Sequence, residues 1–472
     1  MNLSPKFRIK AHVRFAVIIA ASLPLVLSQV AKATNEVSSV VSFDVNDVSF
    51  LWPVPKNKAD VDALISMDDT LADGVSKVWP EDLFQQVIAT ALNVRIGHSQ
   101  ITFPNPALTN LHAWKVAGIR VNPASLGASP GMLAKVPEIP GVRLIVQPVT
   151  VNGDGVVEVH DFAAHVVFNF VLSSTNGNPQ FFRPDEDAFR SIVNDLKKTK
   201  ALVESAHVST RGPLDVHPGF RSNVPGFRES LRDFLKTHLS RKRFQVVSFM
   251  GIQSPEPWIF FSVARTPDGP FVPRTVGGFA TPRASETSLT ASVTSQMLIF
   301  RGGPPVVPAP QIDAQTGEGI STALLFGEPD DALRKRSDAP LFAGATNTVL
   351  NGMKLRDVAD LIANPQRRNT FNADCVSCHT ETTRGRDLNF VSVSPGIAFR
   401  LPEGVSGVAD AVLPEKSPAG RSWNVRNFGW FPGATVPTVT RRAANEAAES
   451  ADFINRKYLG QAALSDGGQP HP

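Results

Sequence analysis

Two cysteines and a histidine stand together at Cys375-Val376-Ser377-Cys378-His379, and the 472-residue chain has no other cysteine. Cys-x-x-Cys-His is the attachment signal for c-type haem. Two thiols at this spacing can each form a thioether to one edge of a porphyrin. The next side chain then lies under the iron, where an imidazole is a good ligand. A redox Cys-x-x-Cys and half of a zinc site are the competing readings. A four-ligand zinc site needs more thiols or clustered histidines, and no further thiol exists.

The first residues supply a matching context. Lys6, Arg8, Lys10 and Arg14 precede an apolar run from Phe15 to Leu27 that Pro24 interrupts. Ala31-Lys32-Ala33 then fits a small-x-small cleavage signal, so residues 1–33 read as a signal peptide cleaved near Ala33. The run is shorter than the ~20 apolar residues of a spanning helix, so no stable membrane span is expected after cleavage. Covalent haem is attached on the export side of the bacterial membrane. The expected location is therefore the periplasm, or the medium if the protein is secreted.

Charge narrows the partners. The chain has 47 Lys and Arg against 43 Asp and Glu, a net +4, but five of the cations and no acid lie in residues 1–33. The remainder carries 42 against 43, a net −1, so nothing points to nucleic acid or to an anionic membrane surface. Once haem takes both thiols no structural disulfide is possible, so apolar cores must hold the fold.

The elements that would position the motif read as follows. Apolar residues recur at helical spacing over 80–93, 185–203 and 225–239. Residues 142–151, 156–159, 165–172, 244–252 and 258–263 read as strands, with Asn152-Gly153-Asp154-Gly155 as a hairpin turn. Together these predict an α+β domain over 45–265. Clustered Pro, Gly, Ser and Thr make 266–339 a connector, with one strand at 293–300. Beyond it, 340–465 reads as a small, mainly α-helical domain. Helices are expected over 353–363, from Pro365 into the cysteine motif, and from an N-cap at Thr440 to Leu459, with Gly460 as the C′ residue. Ala444, Ala447, Ala448, Ala451, Ile454 and Tyr458 form one stripe on that last helix, where small side chains permit close approach.

This C-terminal part resembles a class I cytochrome c domain: a helix carrying Phe371 leads into Cys-x-x-Cys-His, and a terminal helix with Phe453, Ile454 and Tyr458 would cross it. The resemblance implies one covalent haem c, with Cys375 and Cys378 as the thioether residues and His379 as the proximal iron ligand. It covers about 340–465 and says nothing of 34–330. The chain departs from the family in one respect. The family draws a distal methionine from a loop after the motif, and here no methionine follows His379. Met353, a histidine of the larger domain (His98, His112, His160, His165, His207, His217 or His238), the terminal His471, or no residue at all could fill the sixth position. Arg421, Trp423, Arg426, Arg441 and Arg442 could meet the haem propionates, since the guanidinium fork suits carboxylates.

Other groupings carry less chemistry. Thr150 to Asp161 lacks the first acid of a calcium loop. Asp215-Val216-His217 could be a catalytic pair only if the two side chains meet, and no catalytic residue is assigned. Lys197-Lys198-Thr199-Lys200, Arg241-Lys242-Arg243 and Arg334-Lys335-Arg336 read as solvated faces. The expected function is single-electron transfer with a redox partner protein. The alternatives are a haem-dependent, peroxidase-like oxidoreductase with an open distal site, and a haem-based redox or gas sensor.

Overall fold

The computed structural model describes residues 42–92, 106–123, 139–172, 183–252 and 428–460, with shorter pieces at 95–96, 99–100, 258–265, 271–274, 311–312, 319–320, 363, 365, 382 and 408–413. Residues 1–41, most of 266–339 and the cysteine motif lie outside the described residues.

The centre is an antiparallel sheet. Its strands are Ser49–Leu51 (β1), Trp114–Asn122 (β2), Gly141–Val151 (β3), Val157–Val159 (β4), Phe162–Asn169 (β5), Phe244–Ile252 (β6), Trp258–Arg265 (β7) and Phe271–Arg274 (β8). They pair in the order β1-β2-β3-β5-β6-β7-β8, with β4 closing a hairpin on β3. β8 lies within the stretch read as connector, and β2 within one where the sequence suggests no strand. Neighbours on both sides pair with the backbone of an inner strand, which lets it bury both faces.

The two faces differ in chemistry. Register places Ile119 opposite Leu144 and Leu144 opposite Val166. That face is apolar and continues into an aromatic cluster in which Trp114 lies 5.7 Å from Trp79 and 6.1 Å from Phe249, ring centre to ring centre. Phe50 of β1 extends it toward Phe227. The opposite face carries Arg120 directly across from Arg143, Gly118 across from Ile145, and His165 next to Ile145 on β5.

Helices Glu186–Ser205 (α3) and Phe227–His238 (α4) follow β5 and pack on one another. Both are amphipathic: α3 buries Phe189, Ile192, Val193 and Leu196, and α4 buries Phe227, Leu231, Phe234 and Leu235. Helix Glu81–Leu92 (α2) buries Leu83, Phe84, Val87 and Ile88. Ahead of β1, residues Val45–Val48 (α1) form a single helical turn. Asp44 and Asp47 hold it as a capping box, and Asp47 also accepts a hydrogen bond from the buried Lys200 ammonium at 2.7 Å. Among the described residues no helix is long and apolar enough to cross a membrane.

The polar face is covered by the end of the chain. Phe428–Gly429 and Thr438–Val439 form a two-strand ladder, and Arg441–Tyr458 (α5) follows. Thr440 caps α5 by accepting a hydrogen bond from the Ala443 amide at 3.3 Å, and Gly460 just past its end has φ 68°. Ala444, Ala447, Ala448 and Ala451 are wholly buried where α5 meets β2 and α1. Asn455 closes the join by exchanging two hydrogen bonds with the Phe43 backbone, at 2.7 and 2.9 Å. Residues 441–458 therefore belong to the same compact unit as the sheet.

Two glycines make this covering possible. The Phe428 ring occupies the space that a side chain at Gly118 would need. Gly429 has φ 152°, and a Cβ there would stand 2.6 Å from the Gln147 side-chain oxygen. That amide is fixed on both sides: it accepts from the Trp430 N–H at 2.7 Å and donates to the Trp430 carbonyl at 2.8 Å. Gly118→Ala is expected to cost about 1–3 kcal/mol through overpacking. Chemical denaturation would measure it, and limited proteolysis should cleave the 428–439 segment first.

Candidate functional site

Cys375, Cys378 and His379 lie outside the described residues, as do Met353, Phe371, His98, His471, Arg421, Trp423 and Arg426. Two of the described residues flanking the motif, Ala363 and Thr382, contact α5. The Arg441 amide donates to the Thr382 hydroxyl at 2.9 Å, and Thr382 is fully buried. The Asn445 side chain donates to the Ala363 carbonyl at 2.8 Å. The first turn of α5 thus holds the chain twelve residues before Cys375 and three residues after His379.

Charge is concentrated over the first two turns of α5. Arg120 donates to Glu446 at 2.9 Å and to the Ala443 carbonyl at 3.1 Å. Arg442 reaches the other oxygen of Glu446 at 2.7 Å. Arg143, opposite Arg120 in the ladder, completes the group, and among the described residues it forms no ion pair. Neither the Arg120 nor the Arg143 Nε has a hydrogen-bond partner. Three guanidiniums here share one described carboxylate. Burial raises the Glu446 carboxyl, but attraction to Arg442, Arg120 and Arg143 outweighs it and holds the group down at about 2. Burial, with the neighbouring arginines, lowers Arg143 to about 10. Arg441 and Arg442 are buried, so this helix start is no solvated basic face.

The described histidines divide clearly. His217 is buried and stacked on Phe227 at 4.5 Å and on Phe50 at 5.0 Å. Its Nδ1 accepts from the Gly219 amide at 3.0 Å, capping a short helical turn. Asp215 pairs with Arg221, so Asp215 and His217 do not form a catalytic pair. His238 binds Asp195 at 2.8 Å, His112 binds Asp68 at 2.8 Å, and His160 binds Thr150 at 2.7 Å. His207 has φ 58° in the turn after α3. His165 is the described histidine placed by strand register on the sheet's polar face, next to Ile145.

The remaining groupings resolve into structure. Asn152 Oδ1 accepts from the Asp154 and Val156 amides, so residues 152–155 are a tight hairpin turn. Lys200 is buried against Asp47 rather than solvated, and Arg241 pairs with Asp82. A cleft of about 390 Å³ is lined by Asp62, Ser66, Asp69, His112, Lys115 and Arg232. Within it the Ser66 hydroxyl accepts from Lys115 at 3.0 Å and lies against the His112 backbone carbonyl at 3.3 Å. Ser66 thus faces the backbone of His112 and not its imidazole. Among the described residues no group of three or more His, Cys, Asp or Glu could hold a metal.

Sequence reasoning missed Arg120 and Arg143. Arg120 lies on a strand that the sequence does not suggest, and Arg143 lies in the strand read over 142–151, where a lone cation reads as solvent-facing. Comparison with known proteins finds no match: no family model, curated protein or solved structure is similar to the chain.

Two outcomes follow for the charged groups. Glu446→Gln leaves buried guanidiniums without their carboxylate, which is expected to cost about 3–5 kcal/mol in urea unfolding. In the parent protein Glu446 stabilises the fold fully above its ordinary value near 4.5, and this stability drains as pH falls toward about 2. His217 acts in a higher window. Burial holds it at about 3 against an ordinary 6.5. Below pH 6.5 the unfolded chain takes up a proton there that the native state refuses, so stability falls with a slope of up to ~1.4 kcal/mol per pH unit. His217→Asn should flatten the pH dependence between 6.5 and about 4.5 in a series of urea midpoints.

Proposed function

We propose that this is an exported monohaem c-type cytochrome that passes single electrons to or from a redox partner protein. One observation carries the reading: the chain's only two cysteines fall in Cys375-x-x-Cys378-His379. Two thiols and an imidazole in that order suit covalent attachment and iron ligation, and little else uses all three. The haem would supply a one-electron iron couple. The chain's part is to fix it through Cys375 and Cys378, to ligate iron through His379, and to limit water and partner access.

The surroundings suit such a group. Thr382, three residues beyond His379 in the sequence, is buried and anchored on the start of α5. Haem propionates bring negative charge, and the Arg120, Arg143 and Arg442 side chains sit over the first two turns of α5 with only Glu446 described between them. Buried cations of this kind fit an anionic cofactor edge.

A second reading has its own observation. No methionine follows His379, so the sixth iron position could stay open, as in a peroxidase-like oxidoreductase or a gas sensor. His165 is the candidate that would close it, because it shares the sheet face that α5 and the 428–439 segment cover.

The exported protein is expected to keep its pigment through denaturation and acid–organic extraction, and the Cys375→Ala/Cys378→Ala variant to lose it. Pigment that extracts from the parent would contradict the covalent reading. The reduced spectrum should ignore carbon monoxide in the parent and respond to it in His165→Ala. A carbon monoxide response in the parent would instead favour the oxidoreductase or the sensor.

A further inference from the structure

Arg120 and Arg143 face each other across neighbouring antiparallel strands. Like charges directly opposite in a sheet repel, and this pair is held in a buried setting where repulsion is stronger than in water. Arg120 is 3% exposed and Arg143 is half-buried, and the Nε of each is fully buried. Glu446 gives one oxygen to Arg120 and the other to Arg442. Both of its oxygens are engaged before Arg143 is served. Both strand arginines keep an Nε–H without an acceptor, and a buried donor left unmade carries its full desolvation penalty. Every one of these features is relieved by one more anion.

We propose that Arg120 and Arg143 form a carboxylate-binding site on the polar face of the sheet. A guanidinium pair of this kind suits a planar carboxylate, which can take the free N–H groups of both forks. The carboxylate can come from two sources. One is a haem propionate, a source that rests on the cytochrome reading above. The other is a small free carboxylate, which does not depend on that reading.

The purified full-length exported protein would be melted in acetate and in chloride at equal ionic strength, pH 7, beside Arg143→Gln and the charge-conserving Arg143→Lys. If a free carboxylate is the occupant, acetate raises the parent's midpoint by a few degrees over chloride. Arg143→Gln loses that rise, and Arg143→Lys keeps part of it. If a propionate already fills the site, acetate leaves the pigmented parent unchanged, and Arg143→Gln shifts the haem midpoint potential and its pH dependence. The proposal is overturned if acetate has no effect and the potential does not move in either variant. It is also overturned if Arg143→Gln melts above the parent in every buffer, because the pair would then be repulsion with no occupant. A parent without covalent pigment would refute the cytochrome reading alone. The acetate series would still decide the site.

Discussion

Two arginines placed opposite each other in a sheet are the constraint around which the C-terminal part of this fold is arranged. Arg120 and Arg143 cannot both be buried by apolar packing, because an unpaired buried cation costs more than the sheet can recover. A counter-charge must come from elsewhere, and it comes from Glu446, over 300 residues along the chain from Arg120. The last helix is therefore required by the sheet. Its alanines set how closely it can approach, and Glu446 sets where along β2 it stops.

This explains the contrast between the two faces. The aromatic face around Trp79, Trp114, Phe244 and Phe249 needs only volume and shape, and any well-filled apolar cover would serve. The other face needs named partners. Gln147 takes both polar backbone atoms of Trp430, Gly118 yields space to Phe428, and Arg120 takes Glu446. Such contacts specify one arrangement, because a shift of one residue would strand several buried polar groups at once. The same arrangement brings Thr382 and Ala363, on either side of the cysteine motif, to the start of the helix.

Local pattern showed where most helices and strands lie. The helix read over 185–203 runs from Glu186 to Ser205, and the final helix starts at its Thr440 cap and ends before Gly460. β2 was not legible for a physical reason. A bulge between Val116 and Gly118 breaks its period-two alternation, and Lys115 and Arg120 put buried cations where a strand pattern has apolar residues. α1 is one turn long and depends on Asp44, Asp47 and Lys200, a tertiary arrangement with no local periodicity. The alanine stripe signalled close approach but could not name β2 as the neighbour. The cysteine motif is one local run that the sequence shows directly, though it lies outside the described residues, whereas the arginine group was not legible, since its members come from three distant segments.

The account's central claim is that Glu446 docks the C-terminal helix on the sheet by serving Arg120. A double-mutant cycle of Arg120→Gln and Glu446→Gln, read by urea unfolding, tests this most directly. A direct buried pairing predicts a coupling energy of about 1.5–3 kcal/mol, the two changes together costing much less than their sum. Strictly additive costs would contradict it, and would mean that the helix is held on the sheet by its alanine contacts alone.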